Sequence, residues 1–276
     1  MAVVIAACSS PPPPAPQRPP PANGSRPVTV ELTGAPAGTA TLSWDEGTQK
    51  ITAAITMYGF TPNSRHAMQI YPGSCAKRGK PPTISFPDVQ VDGAGVASKR
   101  VDSGPVPAGI PTGSYLTIHL ASMAKLGSRT AVSATPIACA DIPPDLPSTG
   151  PVTLTLQPPP RKGQAPEGSA TLNYNSTNKT LRVQIKASGL EPNREHAVHI
   201  HSGACASQGS VLYTLPDFTV DSEGDVSVDD TVTEVPAGPQ SSGWYLDVHF
   251  GPGDEIIDSG QPTMLFAPIL CGDISG

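Results

Sequence analysis

Apolar and polar residues alternate one by one in two corresponding stretches of the chain. Residues 51–56 are ITAAIT and residues 181–186 are LRVQIK, so every second side chain in each is apolar. Because alternate residues of a strand point to one face of a sheet, this pattern predicts strands with one buried and one solvated face. Further strands are predicted at 40–44, 196–201 and 244–249, separated by turns rich in Gly, Pro, Asn and Asp. The pattern is typical of an antiparallel sandwich or barrel.

Composition narrows the fold class further. The 276 residues include 34 Pro and 27 Gly, which would interrupt almost every helical run and therefore exclude a helical bundle. No apolar run reaches the roughly 18 to 20 residues of a membrane helix. The net charge of −6 and the absence of basic runs argue against a nucleic-acid partner. At roughly 100 to 200 residues per domain, the length predicts two domains.

The chain contains an internal duplication, visible when the sequence is laid over itself at an offset of about 130 residues. The matched segments include His66-Ala67 with His196-Ala197, Gly73-x-Cys75 with Gly203-x-Cys205, Tyr115-Leu116-x-x-His119 with Tyr245-Leu246-x-x-His249, and Cys139 with Cys271. We expect a tail over 1–27, a first all-β domain over 28–145 and a second over 150–276. Proline-rich segments near 143 and 158 mark the junction.

The N-terminal segment has the pattern of an exported, tethered protein. It begins MAVVIAACSS, and nine of residues 11–27 are proline, which predicts a stiff polyproline spacer. Residues 5–8 resemble the lipobox of bacterial lipoproteins, which implies lipidation at Cys8 and a true translation start upstream of Met1. We therefore expect a cell-surface lipoprotein or secreted protein whose contact with the membrane is a lipid anchor. The alternative is a chance cysteine beside an apolar N-terminus.

The other four cysteines allow three disulfide connectivities. In an exported protein, cysteines present in pairs suggest disulfides. Because each repeat carries two of them, the duplication favours Cys75 with Cys139 and Cys205 with Cys271 over bridges between domains. Each bridge would close a loop of about 65 residues, worth roughly 3 to 4 kcal/mol.

Histidines of the second repeat form the candidate site. His199 and His201 lie two apart on a predicted strand, so their imidazoles share a face, and an imidazole from a neighbouring strand would complete a site of three nitrogens. Neutral imidazole suits copper and zinc, whereas calcium and magnesium prefer oxygen. An isolated His-x-His on a strand is more often plain polar surface, so the surrounding residues decide.

The surrounding motif runs His-x-x-His-x-His over 196–201, then Cys205, a later Val-His ending at His249, and Leu-Cys-Gly-x-Ile at 270–274. This order and spacing resemble the Cu/Zn superoxide dismutase family. The resemblance implies an eight-stranded Greek-key barrel, a disulfide from Cys205 to Cys271, and copper ligation by His199, His201 and His249. It makes His196 a structural histidine beside the site. The CHRD domain family, our second choice, also uses His-Ile-His-x-Gly and a later Val-His, but as a rule lacks the paired cysteines.

Departures from the first family limit what the resemblance implies. Residues 206–248 contain no histidine, so the bridging and zinc ligands of the family are missing and we expect no zinc site. Pro268 stands where the family has the arginine that guides superoxide. In the first repeat, Gln69 and Tyr71 replace the histidine pair, which leaves His119. We expect that repeat to be a scaffold or interaction domain, with His66 a buried structural histidine.

Charge is divided unevenly between the two parts of the chain. Residues 196–276 hold twelve Asp or Glu and no Lys or Arg, giving −12, whereas the first 195 residues hold 17 basic and 11 acidic residues, giving +6. An acidic field slows the arrival of superoxide, which is an anion, and attracts copper ions. For most of these residues, a solvated turn or edge position is the simpler explanation.

These observations predict a surface protein that binds one copper ion in its second domain, with a role in copper handling or superoxide-linked redox chemistry. We expect weak or absent dismutase activity and assign no residue as catalytic. Two alternatives remain open. One is an active copper-only superoxide dismutase, and the other is a non-enzymatic surface module, for adhesion or assembly, that retains only the fold.

Overall fold

A computed structural model describes residues 26–79, 81–128, 130–146, 150–161, 163–239 and 243–275. Within these residues the protein is all-β, with 3₁₀ turns as its only helical elements, as the alternating pattern predicts. The lipidation candidate Cys8 and nearly all of the predicted tether lie outside the described residues. The described part of the chain holds no helix with the length and hydropathy of a membrane span.

The strands follow the duplication, with matching elements in each repeat. The first repeat provides β1 (Val28–Gly34), β2 (Ala37–Asp45), β3 (Lys50–Tyr58), β4 (Arg65–His66), β5 (Met68–Pro72), β6 (Ile84–Ser85), β7 (Val89–Gln90), β8 (Ala97–Pro105), β9 (Ser114–His119) and β10 (Pro136–Ile142). The second provides β11 (Val152–Leu156), β12 (Glu167–Asn175), β13 (Thr180–Ser188), β14 (Glu195–Ala204), β15 (Ser207–Thr219), β16 (Val226–Val232), β17 (Trp244–His249), β18 (Ile257–Asp258), β19 (Gln261–Pro262) and β20 (Pro268–Ile274). Short 3₁₀ turns occur at Met123–Lys125, Val132–Ala134 and Met264–Phe266.

Each repeat builds a barrel-like unit from antiparallel strands. In the second, eight strands form one nearly closed sheet in the order β15-β14-β17-β20-β1-β12-β13-β16. In the first, the equivalent strands form two four-stranded sheets, β10-β9-β5-β6 and β11-β2-β3-β8. The predicted alternation is confirmed in both repeats: the inward residues of β3 and β13 are buried, and their neighbours are partly or fully exposed.

The repeats exchange their first strands. β1 pairs with β12 of the second repeat, from Val28 opposite Leu172 to Thr33 opposite Glu167. Reciprocally, β11 pairs with β2 of the first repeat along its whole length. The apolar side chains follow the backbone, because Leu32 is buried in the second core and Leu154 in the first. The predicted domain bounds 28–145 and 150–276 stay a prediction, and one strand from each of these ranges pairs within the sheet of the other.

Both disulfides favoured by the duplication are present, Cys75–Cys139 and Cys205–Cys271. Each ties the segment that follows a central strand to the last strand of its repeat. An equivalent hydrogen bond accompanies each disulfide: the backbone N–H of Cys75 donates to Asp141, and that of Cys205 donates to Asp273. Structural disulfides persist in oxidising compartments, so the pair indicates an extracytoplasmic protein.

The strand exchange predicts which barrel each first strand stabilises. Leu32→Ala removes buried methyl groups from the second core and should cost about 2 to 5 kcal/mol. The only two tryptophans are Trp44, which packs against the first core, and Trp244, which packs against the second. In a variant from which one tryptophan has been removed, the fluorescence of the remaining tryptophan therefore reports on a single barrel. In urea unfolding followed by fluorescence, Leu32→Ala should shift the Trp244 transition more than the Trp44 transition.

Leu154→Ala is the matched control for this experiment and should act more strongly on Trp44, because Leu154 is buried in the first core. If Leu32→Ala instead shifted the Trp44 transition more than the Trp244 transition, strand exchange would be contradicted.

Candidate metal centre

The ladder between β14 and β17 brings the three candidate histidines together. His199 lies opposite Asp247 and His201 lies opposite Tyr245, with the strands antiparallel. The intervening residues of both strands, such as Ile200 and Val248, are buried in the second core. The histidines therefore occupy the other face of the sheet, as the spacing of two predicts for His199 and His201.

The three imidazoles converge on one point. Each offers a ring nitrogen, and these three nitrogens lie within 4.8 Å of one another. The ring centroids are 4.8 Å apart for His199 and His249 and 5.5 Å apart for His199 and His201. All three side chains are buried, with His249 fully enclosed. The Phe266 ring covers them, its centroid 4.3 Å from that of His249.

Backbone carbonyls select the nitrogens that face the centre. Nδ1 of His249 lies 2.7 Å from the Phe266 carbonyl, and Nδ1 of His201 lies 3.2 Å from the Gly209 carbonyl. A carbonyl only accepts, so we assign the ring proton of each neutral imidazole to Nδ1, which leaves Nε2 with a free lone pair. Nδ1 of His199 lies 3.0 Å from Nε2 of His249 and donates to it. The atoms that face the centre are thus Nδ1 of His199 and Nε2 of the other two.

Burial keeps these imidazoles neutral. Desolvation lowers the pKa of His249 to about 3, aided by the neighbouring His199 and His201, and lowers that of His201 to about 4. The pKa of His199 is also lowered by burial, with Asp217 acting in the opposite direction. Only the neutral ring offers a lone pair to a metal. At neutral pH the three rings are therefore uncharged, and the proton on Nδ1 of His199 would have to move to Nε2 of the same ring for all three central nitrogens to bind a metal.

The donor set fits a metal ion of the copper or zinc class. Three imidazole nitrogens suit those ions, and the cluster lacks the carboxylate and carbonyl oxygens that calcium and magnesium prefer. Nε2 of His201 is buried without a hydrogen-bond partner among the described residues, a cost that ligation would remove. Outer hydrogen bonds from ligand rings to backbone carbonyls are typical of metal-bound histidines. The cluster can therefore hold a metal ion.

A buried carboxylate lies beside the histidines and was missed in the sequence. Asp247 is fully buried on the histidine face, and neither of its oxygens has a hydrogen-bond partner in the described part of the chain. Burial raises its pKa well above the usual range. The hydroxyl of Tyr245 is likewise buried and unpartnered within the described ranges. The sequence does contain a signal for this carboxylate, because Asp247 and His249 lie two residues apart on a predicted strand and therefore share a face.

The first repeat has the same framework with different side chains. Gln69 and Tyr71 occupy the positions of the histidine pair, and the Tyr71 hydroxyl donates to Gln69 Oε1 over 2.7 Å. It lies 3.4 Å from Nε2 of His119. Thr117 stands where the second repeat has Asp247, and its hydroxyl donates to the Ala138 carbonyl. Hydrogen bonds therefore fill the place where three imidazoles meet in the second repeat.

The two remaining predicted site residues, His66 and His196, each form a hydrogen bond to a backbone carbonyl in their own repeat. Nδ1 of His196 donates to the His249 carbonyl over 2.8 Å, and Nδ1 of His66 donates to the His119 carbonyl over 3.0 Å. Both rings are buried, and desolvation lowers the pKa of each to about 4. Each ring thus anchors the strand end that carries the third histidine of its repeat.

Comparison with known families gives a match to part of the chain. The family model of the CHRD domain matches residues 146–256, or 111 of the 276 residues, a stretch that includes His199, His201 and His249. This is the second of the two families suggested by the sequence, and nothing in the comparisons supports the first. No curated protein matches the chain. The match ends before Cys271, so the disulfide of the second repeat joins a residue inside it to one outside it.

The buried carboxylate predicts an unusual gain in stability. Asp247→Asn should stabilise the metal-free protein by about 1 to 3 kcal/mol at pH 7, because an amide carries no charge to desolvate. Since the folded-state pKa of Asp247 lies above its unfolded value, wild type loses stability as pH rises from about 4. The gain in the variant should therefore grow from pH 4 to pH 7, as measured by urea unfolding. An equal effect at both pH values would show that the charge of Asp247 is irrelevant.

Proposed function

We propose that this protein binds one copper ion through His199, His201 and His249 and serves in copper handling or superoxide-linked redox chemistry outside the cytoplasm. In this proposal it is exported and anchored by a lipid at Cys8. The observation that supports it best is the convergence of three buried, neutral imidazole nitrogens within 4.8 Å. The resemblance to Cu/Zn superoxide dismutase adds to the proposal but does not carry it.

Copper is favoured over other metals by the nature of the donors. Among divalent first-row ions, copper binds nitrogen sites most tightly, and imidazole is a ligand for both of its oxidation states. The twelve acidic and no basic residues of 196–276 add an attractive field for a cation. A bound copper would supply one-electron redox chemistry. Backbone carbonyls hold the rings of His201 and His249 in place, His199 bonds to His249, and the Phe266 ring lies against His249.

Efficient dismutation is not part of the proposal. It requires attraction of an anionic substrate and delivery of protons to the departing peroxide. Pro268 stands in place of a guiding arginine, and residues 196–276 contain no Lys or Arg. No histidine in 206–248 is present to bridge to a second metal. We therefore expect slow turnover of superoxide at best.

Copper binding is tested by metal analysis and electron paramagnetic resonance of the full chain. Wild type should bind one Cu(II) with nitrogen hyperfine structure. His249→Ala should weaken binding by more than about 100-fold, since losing only an outer partner of a ligand already costs about 10 to 100-fold. His119→Ala is the matched control, because it removes the equivalent histidine of the repeat that lacks the pair, and it should leave copper binding unchanged.

Unchanged affinity in His249→Ala would refute the site. Absence of stoichiometric copper in wild type after loading would favour the non-enzymatic surface module.

Superoxide consumption by the copper-loaded protein distinguishes copper handling from enzymatic dismutation. We expect rates far below the diffusion limit, falling further as ionic strength is lowered, because salt screens the repulsion between the acidic repeat and the anion. Stopped-flow measurement of superoxide decay at two salt concentrations provides the test. Near-diffusion-limited decay that is lost in His199→Ala would identify an active copper-only dismutase.

A further inference from the structure

A cavity of about 320 Å³ lies where the two repeats meet, apart from the histidine cluster. Three arginines line it: Arg78 from the first repeat, Arg161 from the segment between β11 and β12, and Arg194 from the turn before β14. Apolar side chains, including Ile137 and Phe250, form other parts of the wall. The cavity is at the lower end of the size range of small-molecule sites.

The charges of this cavity favour an anion. Arg161 is paired with Glu191, the acidic residue of the described lining, so three cations face one carboxylate. Burial lowers the pKa of Arg161, and the charges of Arg78 and Arg194 lower it further, which places both of these guanidinium groups within electrostatic range of Arg161. An anion placed between these like charges would reduce their repulsion. Guanidinium groups bind carboxylate and phosphate oxygens through paired N–H donors.

His196 also lines this cavity, and its ring carries a buried acceptor. Its Nδ1 donates to the His249 carbonyl, so Nε2 of the neutral ring carries a lone pair. Nε2 is buried and has no hydrogen-bond partner among residues that the structure describes. Leaving a buried acceptor unsatisfied is unfavourable, so a ligand with an O–H donor would be favoured here.

The duplication provides an internal comparison for this acceptor. In the first repeat, Nε2 of His66 lies 2.7 Å from the Ser64 Oγ, and the same hydroxyl lies 2.6 Å from the Thr61 carbonyl, to which it donates. At the offset of 130 residues, Ser64 corresponds to Arg194. The second repeat therefore lacks the hydroxyl that contacts the histidine and has a cation at that position, beside a cavity. The two changes together create a place for an anion that brings its own hydroxyl.

We propose that this cavity binds a small oxyanion that also carries an O–H group, either a hydrogen phosphate or a short hydroxycarboxylate. Its negative oxygens contact the guanidinium groups of Arg194, Arg78 and Arg161, and its O–H donates to Nε2 of His196. Because none of the three proposed metal ligands is among the described residues that line the cavity, this binding does not require a metal.

Isothermal titration calorimetry of the metal-free full chain tests the site at pH 7.5 and low salt. The probes are inorganic phosphate and glycolate, which carry an O–H, and sulfate and acetate, which do not. Phosphate, glycolate or both should bind at least tenfold more tightly than their counterparts. Preference for phosphate identifies a phosphate ligand, and preference for glycolate identifies a hydroxy acid.

Arg194→Ser recreates the Ser64 arrangement of the first repeat and should weaken binding at least tenfold. Arg100→Ser, an exposed arginine on β8 away from the cavity, removes the same charge and should leave binding unchanged. Arg78→Ser is a second cavity variant and should also weaken binding, and thermal melting shows that each variant is folded. Equal affinity for sulfate and phosphate together with equal affinity for acetate and glycolate, no binding of any probe, or wild-type affinity in folded Arg194→Ser would overturn the proposal. Because no copper is present, failure here is distinct from failure of copper binding.

Discussion

The antiparallel ladder between β14 and β17 is the constraint on which the candidate site depends. Its register places His199 opposite Asp247 and His201 opposite Tyr245, and β17 ends at His249. A shift of one residue would turn every one of these side chains toward the apolar core. That shift is prevented by the inner face, where residues such as Ile200 and Leu246 are fully buried. The packing of the core therefore determines where the imidazoles meet.

Much of this arrangement follows from local sequence patterns. Alternation identified the strands of both repeats, and the spacing of two predicted that His199 and His201 share a face. The duplication alone was enough to favour the observed disulfides, because each repeat carries its own pair. His249 was placed at the site by resemblance to a family motif, and its contact with the pair depends on strand adjacency, which periodicity does not specify.

Other features depend on long-range geometry and were not predicted. The exchange of β1 and β11 cannot be seen in the alternation of apolar and polar residues, because a strand with one apolar face can pack against either core. The cost of burying Asp247 depends on the absence of a nearby donor among the described residues, which only coordinates reveal. The cavity beside His196 likewise combines residues from distant segments of both repeats, and the difference between Ser64 and Arg194 can be interpreted only from the contacts of the two histidines beside them.

The crossing of the first strands has a consequence for the history of the chain. Either half of the chain alone would lack one strand of its own barrel and would carry an unpaired strand that belongs to the other barrel. The half without the histidine pair therefore supplies a wall of the half that has it. Deletion of that half would remove β1 from the sheet that carries the imidazoles and so open the second barrel. This is a structural reason for both repeats to be retained together.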